Sequence, residues 1–238
     1  MLCRHPAPRQ RWGEAELTLD VLNSLLENRH SCRAFLPDPV PQDHIEQIVT
    51  SAARVPSWCN AQPWQVHITS GAETDRFRQA LRHEAETGTP APDLPFPSGY
   101  SGVYQDRRRA CGWALYKAVG VEKGDRAASA RQMMENYALF GAPHCAIVTS
   151  PAELGPYGAM DCGGFVTAFT LAAQALGVAS IPQAAVAAYA PFLRRYFQVP
   201  EDRLILCAIS FGYPDQAHPA NGFRTDRAGL DEIVRWHG

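Results

Sequence analysis

The sequence predicts a single α+β domain. Its 238 residues are enough to bury a substantial core, and 46% hydrophobic with 19% charged residues is typical of globular proteins. Helical patterns and short apolar runs follow one another without the strict strand–helix alternation of a doubly wound sheet. No linker divides the chain cleanly. We therefore predict one domain over residues 15–238, preceded by a flexible tail at residues 1–14 that lacks the apolar core of a secretion signal.

Helical periodicity predicts eight helices. In the second, Ile45, Ile48, Val49 and Ala52 lie on one stripe, and Pro56 follows shortly after the helix ends. The helical patterns cover residues 19–27, 42–53, 75–83, 110–119, 129–139, 161–176, 191–197 and 230–236.

Three segments are predicted to be strands. Residues 65–69 alternate between apolar and polar side chains, and Pro63 and Gly71 bound them. Residues 144–149 and 204–211 are short, largely apolar runs, as expected of buried strands.

Residues 88–102 separate the third and fourth helical patterns. Four prolines among small residues exclude regular structure in this segment. It is either a flexible excursion or a lid.

Charge and cysteine content exclude several partners. The chain has 22 basic and 24 acidic side chains, a formal charge of −2, which provides no long-range field for nucleic acid or an anionic membrane. Its seven cysteines are scattered and form no C-x-x-C pair, so neither a disulfide framework nor a zinc site is indicated. We expect a cytoplasmic protein that binds no metal.

Residues 162–193 contain no Lys, Arg, Asp or Glu. Threonines, glutamines and the break between Gly177 and Pro182 interrupt this run, which is built mostly of alanine. It therefore lacks the strongly apolar block of about 18 residues that a membrane span requires. We predict a helix that is buried on nearly all sides.

The first candidate site follows the first helix, at residues 29–33. If a helical turn continues there, Arg29 and Arg33 face the same way, with Ser31 between them. Two guanidinium groups and a hydroxyl suit the oxygens of a phosphate. The alternative is a solvated helix end at which cations favour the helix dipole.

The second candidate site, residues 56–64, holds two prolines and two tryptophans beside the amides of Asn60 and Gln62. Amide side chains both donate and accept hydrogen bonds, as the polar edge of a flavin or a pyrimidine requires. A turn over the core explains the segment equally well. The third candidate, residues 221–227, adds Arg224 and Arg227, or is a solvated loop before the last helix.

Common nucleotide and hydrolase motifs are missing. The sequence has no G-x-G-x-x-G after a strand, no P-loop, no H-E-x-x-H and no G-x-S-x-G. Dinucleotide-fold, ATP-binding, zincin and lipase functions therefore lose their main support.

Taken together, the candidate segments resemble the nitroreductase family of FMN-dependent oxidoreductases. The likeness is carried by the ordered motifs R-x-S-x-R-x-F at 29–35, P-S-x-x-N-x-Q-P-W at 56–64, F-G-A-P at 140–143, I-P-Q-A at 181–184, G-Y-P-D at 212–215 and R-T-D-R at 224–227. It extends over about residues 20–237. Ala228-Gly229 departs from the Ala-Pro of many relatives.

The resemblance implies an α+β fold with a central, mostly antiparallel sheet and a homodimer whose long central helices pack together. FMN would lie in clefts between the subunits, and no side chain would act as a covalent catalyst. The implied FMN-binding residues are Arg29, His30, Ser31, Arg33, Arg224 and Arg227 around the phosphate and ribityl chain, Pro56, Ser57 and Asn60 reaching the other subunit's flavin, and Pro182, Gln183 and Ala184 at the flavin edge. A backbone N–H near Gln183 and Ala184 would face flavin N5.

The implied activity is ping-pong reduction of nitroaromatic, quinone or related electrophilic acceptors by NADH or NADPH. Two alternatives remain: an FMN-dependent ene-reductase or dehalogenase, and a flavin-binding sensor or carrier without useful turnover.

Residues 84–130 correspond to a variable substrate lid, in which Tyr100, Tyr104, Trp113 and Tyr116 either stack on an aromatic substrate or pack in the core.

Overall fold

The computed structural model describes residues 12–238, which form an antiparallel sheet with helices on both faces. The strands are β1 (Gln65–Ser70), β2 (His144–Pro151), β3 (Ala179–Gln183) and β4 (Arg203–Gly212), in the spatial order β1-β2-β4-β3. Over the same residues the helices are α1 (Trp12–Asn28), α2 (Gln42–Ala52), α3 (Ala72–Thr87), α4 (Gly102–Ala118), α5 (Arg126–Met134), α6 (Gly155–Ala175), α7 (Ala190–Phe197) and α8 (Leu230–Ile233). The predicted α+β class is confirmed.

The central strand β2 is buried on both of its faces. Ile147 packs in a core with Phe77, whereas its neighbour Val148 packs in a second core with Phe165 and Phe169. Side chains alternate across a strand, so one strand supplies both cores. This explains why the sequence of β2 is largely apolar rather than alternating.

Strand β3 was not predicted, because its five residues include Pro182. A proline cannot donate to a sheet ladder and is confined to edge strands. β3 is an edge strand that pairs with β4 alone, and on its outer side the Ser180 carbonyl accepts a hydrogen bond from the Cys32 N–H at 3.2 Å. The segment after α1 is thereby held against the sheet edge.

Helix α6 begins at Gly155, earlier than the predicted 161–176, with a proline in its first turn. Within the predicted helix one stripe faces the sheet, whereas Gly163, Gly164 and Thr167 on the other side are exposed. The prediction of a helix buried on nearly all sides is therefore wrong for the single chain. Across residues 12–238, no helix is long and apolar enough to span a membrane.

Several other helix boundaries differ from the predictions. α1 begins at Trp12, so residues 12–14 of the predicted tail are helical, and residues 1–11 lie outside the described part of the chain. α4 begins eight residues before the predicted 110, because its arginine-rich first turns favour a helix. α5 begins at Arg126, since the Asp125 carboxylate caps it by accepting from the Ala128 N–H at 2.8 Å. α8 ends at Ile233, where the backbone becomes extended.

Residues 88–101 are irregular, as predicted, but their first half is anchored to the sheet. The Ala91 N–H donates to the Ala188 carbonyl at 2.7 Å. Asp93 Oδ2 accepts from the Ile205 N–H at 2.7 Å and from Arg194 Nη2 at 3.1 Å. The interpretation of this segment as a flexible loop is therefore excluded for residues 88–93.

We expect Asp93→Ala to lower the free energy of unfolding by about 2 kcal/mol, because it removes a mostly buried ion pair and leaves the Ile205 N–H without its acceptor. Urea denaturation measures the loss. Glu201→Ala is the matched control, since Glu201 contacts the same arginine but is 91% exposed, and its loss should cost under about 1 kcal/mol. Equal losses in the two variants would contradict the anchor.

Candidate active site

A cavity of about 540 Å³ lies where the end of α1 and the segment after it meet α4 and the C-terminal segment. It is lined by Leu26, Glu27, Arg29, His30, Ser31, Arg33, Cys111, Phe223, Arg224, Thr225 and Arg227. We call this cavity the arginine pocket. Six of the predicted site residues, separated by almost 200 positions in the sequence, are brought together there.

Asn221 joins the two segments that supply the arginines. Its Oδ1 accepts from the Arg33 N–H at 2.7 Å, and its Nδ2 donates to the carbonyls of Ala34 and Asp215 at 2.9 and 2.8 Å. Asn221 is buried. Asn221 is the first residue of the third candidate segment. Its role in joining the two segments was not predicted, because no sequence motif indicates a hydrogen bond between residues so far apart in the chain.

The pocket concentrates positive charge with little compensation. The pKa of Arg29 is lowered, first by burial and then by repulsion from Arg227. Burial also lowers the pKa of Arg33, whose guanidinium donates to the Ser31 carbonyl at 3.1 Å and lies 5.6 Å from the Phe223 ring centroid.

Arg224 and Arg227 likewise donate to backbone carbonyls, and Arg227 also to the Thr225 hydroxyl. None of the four arginines forms an ion pair with a carboxylate in the described part of the chain. Arg29 and Arg33 are partly buried, whereas Arg224 and Arg227 are exposed. Four guanidinium groups that pair with no described carboxylate make a site suited to an anion with several oxygens.

Cys32 lies behind the arginine pocket and is not poised for chemistry. It is fully buried, its thiol donates to the Ala34 carbonyl at 3.1 Å, and burial raises its pKa to about 11. It therefore remains a thiol at neutral pH. No cluster of histidine, cysteine and carboxylate side chains that could hold a metal ion occurs within residues 12–238.

The second candidate segment forms a separate, strained loop that does not line the arginine pocket. Cys59, Asn60 and Gln62 adopt left-handed backbone angles, with φ of 48°, 57° and 48°. The Gln62 N–H donates to Ser57 Oγ at 2.9 Å, and α6 holds the loop through its Asp161 carboxylate, which accepts from the Trp58 N–H at 3.0 Å. Left-handed residues other than glycine cluster at ligand-binding sites. Pro56 and Asn60 are exposed, so the loop is open to a neighbouring molecule.

The third predicted group, residues 182–184, ends β3. The Gln183 side chain is buried: its Oε1 accepts from Ser210 Oγ at 2.5 Å, and its Nε2 donates to the Asn136 carbonyl at 2.9 Å. Only the backbone of Gln183 is left to face a cofactor. Ala184 is exposed, and the role of both residues at a flavin edge stays a prediction.

Helix α4 covers one side of the arginine pocket and contributes Cys111 to it. The aromatic residues predicted to stack on a substrate are partly exposed, and Tyr100 lies under the guanidinium of Arg108 at 5.2 Å. Trp113 and Tyr116 pack edge to face. None of the four rings lines the arginine pocket, and their stacking on a substrate stays a prediction.

Comparison with known proteins agrees with this arrangement. The family model described as the nitroreductase family matches residues 26–213, most of the chain. The chain belongs to the nitroreductase family. The match covers the segments at 29–35, 56–64 and 181–184, and the resemblance drawn from those motifs is confirmed.

Individual relatives of this nitroreductase family member are similar over almost their whole length. Nitroreductase NfnB of Mycolicibacterium smegmatis is 38% identical over 215 residues, which cover 89% of this chain and 91% of the relative. The 4-nitrobenzoate reductase of Pseudomonas putida is 28% identical, covering 93% and 98%. The crystal structure of the FMN-dependent nitroreductase NfnB from Mycobacterium smegmatis in complex with NADPH superposes with a TM-score of 0.89 at 35% identity, covering 93% of this chain and 100% of that one.

Proposed function

We propose that this protein is an FMN-dependent oxidoreductase that uses NADH or NADPH to reduce nitroaromatic acceptors. The observation that carries the proposal is the convergence of Arg29, Arg33, Arg224 and Arg227 in one cavity, where none of them forms an ion pair with a carboxylate of residues 12–238. The relatives named above, which are a nitroreductase and a nitrobenzoate reductase, support nitroaromatic compounds as the acceptor class.

The donors of the arginine pocket fit the phosphate of FMN. A phosphate monoester carries nearly two negative charges at neutral pH and offers three acceptor oxygens. The pKa of Arg29 is lowered by burial and, to a lesser extent, by repulsion from Arg227, and such a group would relieve that repulsion. Forked guanidinium donors and the Ser31 hydroxyl would then hold it.

Bound FMN would supply the hydride and electron transfer between NAD(P)H and the acceptor. The chain's own contribution is binding and orientation. The arginines would hold the phosphate, and the backbone of residues 182–184, at the C-terminal end of β3, would face the flavin edge. The Gln183 side chain fixes that backbone through Ser210 and Asn136. No covalent nucleophile is required.

We infer that the active form is a homodimer. Among the exposed large apolar side chains of the single chain are Leu17, Leu19, Val21, Leu22 and Leu26 on α1, Tyr157 and Met160 on α6, and Leu230 and Ile233 on α8. Exposed apolar surface of this extent marks an association site. Pairing through α6 would also cover the charge-free stripe and bring the Pro56–Asn60 loop toward a neighbour's flavin.

Light scattering after gel filtration should give twice the chain mass of 26.1 kDa. Met160→Glu should weaken dimerisation at least about tenfold, because an unpaired carboxylate would be buried in the interface. Met133→Glu is the matched control, since Met133 is similarly exposed but lies on α5. A parent protein that is monomeric at micromolar concentration would contradict the dimer.

We further infer that the protein works in the reducing cytoplasm. Six cysteines within the described residues are free, and burial raises the pKa of Cys145 and of Cys207 to about 12. Free thiols throughout a fold are typical of reducing compartments.

An anaerobic titration tests the proposed function. NADPH should bleach the visible absorption of the bound flavin, and a nitroarene should restore it. A faster recovery with a nitroarene panel than with an enone panel would separate nitroreduction from alkene reduction. A flavin that NADPH and NADH both fail to reduce would leave only a sensor or carrier and would contradict the proposal.

A further inference from the structure

One ring nitrogen of His30, a residue that lines the arginine pocket, has no hydrogen-bond partner within residues 12–238. His30 Nδ1 lies 3.1 Å from the Asn28 carbonyl, which can only accept a hydrogen bond, so Nδ1 carries the proton. The other ring nitrogen, Nε2, is buried and has no hydrogen-bond partner within residues 12–238. The neutral ring therefore holds an unused lone pair beside a cavity that four arginines also line.

The charges around His30 keep its ring neutral while no anion is present. The groups that share its cavity are Glu27 at the end of α1, Arg29 and Arg33 on its own segment, Cys111 on α4, and Arg224 and Arg227 on the C-terminal segment. The pKa of His30 is lowered, first by burial and then by repulsion from Arg224, Arg29 and Arg33. Glu27 is the one carboxylate among these lining residues.

A phosphate dianion would give Nε2 a hydrogen-bond partner and would raise the pKa of His30. Its oxygens only accept hydrogen bonds, so they would repel the Nε2 lone pair but accept from a protonated Nε2. Its charge would also oppose the field of the arginines and favour the imidazolium.

We propose that His30 takes up a proton at Nε2 when the phosphate of FMN enters the arginine pocket, so that the imidazolium becomes a fifth cation of the phosphate site. This inference rests on the proposed function, because it assumes that FMN is the ligand. The competing possibility is that a neutral Nε2 accepts a hydrogen bond from a hydroxyl of the ligand, in which case no proton is taken up.

The expected pH dependence has a defined sign. Proton uptake on binding makes FMN affinity fall as pH rises, by up to tenfold per pH unit between the pKa values of His30 in the free and bound states. The second ionisation of the FMN phosphate, near pH 6, acts in the opposite direction and is complete by about pH 7.5. The range from pH 7.5 to 8.5 therefore isolates the histidine.

Isothermal titration calorimetry of FMN into the flavin-free full chain counts the protons directly. Titrations at pH 7.5 in HEPES and in Tris, which differ in ionisation enthalpy, should show net uptake of up to one proton per FMN. His30→Gln should abolish the uptake and flatten the decline in affinity, and His30→Asn serves if that variant fails to fold. His83→Gln, an exposed residue of α3, should behave as the parent does.

Each outcome is decisive. Binding without proton uptake in the parent would overturn this inference and leave the proposed function standing. Uptake that persists in both His30 variants would also overturn it, by assigning the proton to another group. An inability to bind FMN at any pH would overturn the proposed function and this inference together.

Discussion

Replacing Arg29 by alanine should lower the affinity for FMN by about 10- to 100-fold without destabilising the flavin-free protein. A hydrogen bond to a charged group contributes about 1.5–3 kcal/mol, which corresponds to that range. In the single chain Arg29 forms no ion pair or side-chain hydrogen bond within residues 12–238, and its guanidinium is repelled by Arg227. Its removal should leave the free energy of unfolding unchanged or raise it slightly.

The two effects are measured separately, by fluorescence titration with FMN and by urea denaturation of the flavin-free protein. Arg82→Ala is the control, because Arg82 forms an exposed ion pair with Glu86 on α3, far from the proposed site. Arg33 is a less clean choice, since it also packs on Phe223 and donates to Ser31. Unchanged FMN affinity in Arg29→Ala would show that the phosphate is held elsewhere.

Replacing His144 by alanine should lower the free energy of unfolding by about 3–5 kcal/mol at pH 8. The ring is fully enclosed and stacks on Phe211 with centroids 5.1 Å apart. Its Nε2 accepts from the Val40 N–H at 2.9 Å, so Nδ1 carries the proton and donates to Ser70 Oγ at 2.9 Å. The variant would leave a cavity and a buried N–H without an acceptor.

The effect of His144→Ala should shrink in acid. Burial lowers the pKa of His144, so the unfolded chain binds the proton more readily than the folded one. The contribution of the neutral ring is complete above the unfolded pKa of about 6.5 and declines as pH falls below it, by at most about 1.4 kcal/mol per pH unit. The difference between parent and variant in urea denaturation at pH 8 and pH 5.5 measures this decline.

The exposed His83 provides the control, since His83→Ala should change stability little at either pH. A loss in His144→Ala that is the same at pH 8 and at pH 5.5 would contradict the assignment of a buried, neutral imidazole.

The sequence predicted elements well where periodicity and local signals agree. The α2 stripe of Ile45 and Ile48 and the apolar run of β2 are both found in the structure. Strand β3 was not predicted, because Pro182 argues against a strand unless the strand is known to lie at a sheet edge. The predicted fifth helix, 129–139, begins three residues late, because the Asp125 cap starts α5 at Arg126. It also runs past the observed end at Met134, since residues 135–138 form turns and Leu139 and Phe140 take left-handed angles.

In the candidate site, too, the sequence predicted the local features but not the contacts between distant segments. Residue types alone indicated that Arg29 and Arg33 suit an anion, but no local pattern placed them beside Arg224 and Arg227. That juxtaposition depends on Asn221 and on the Cys32–Ser180 contact, both of which join segments far apart in the sequence. The resemblance placed Gln183 at the flavin edge through its backbone, and no local pattern indicated that its side chain is used inside the fold by Ser210 and Asn136.

A comparison of FMN with riboflavin, which lacks the phosphate, tests the central claim most directly. If the arginine pocket holds the phosphate, the flavin-free protein should bind FMN at least about 100-fold more tightly than riboflavin at pH 7.5, because several charge-assisted hydrogen bonds are lost with the phosphate. The ratio should fall toward one when Arg29 and Arg33 are both replaced by alanine. Equal affinities of the parent protein for FMN and riboflavin would contradict the account.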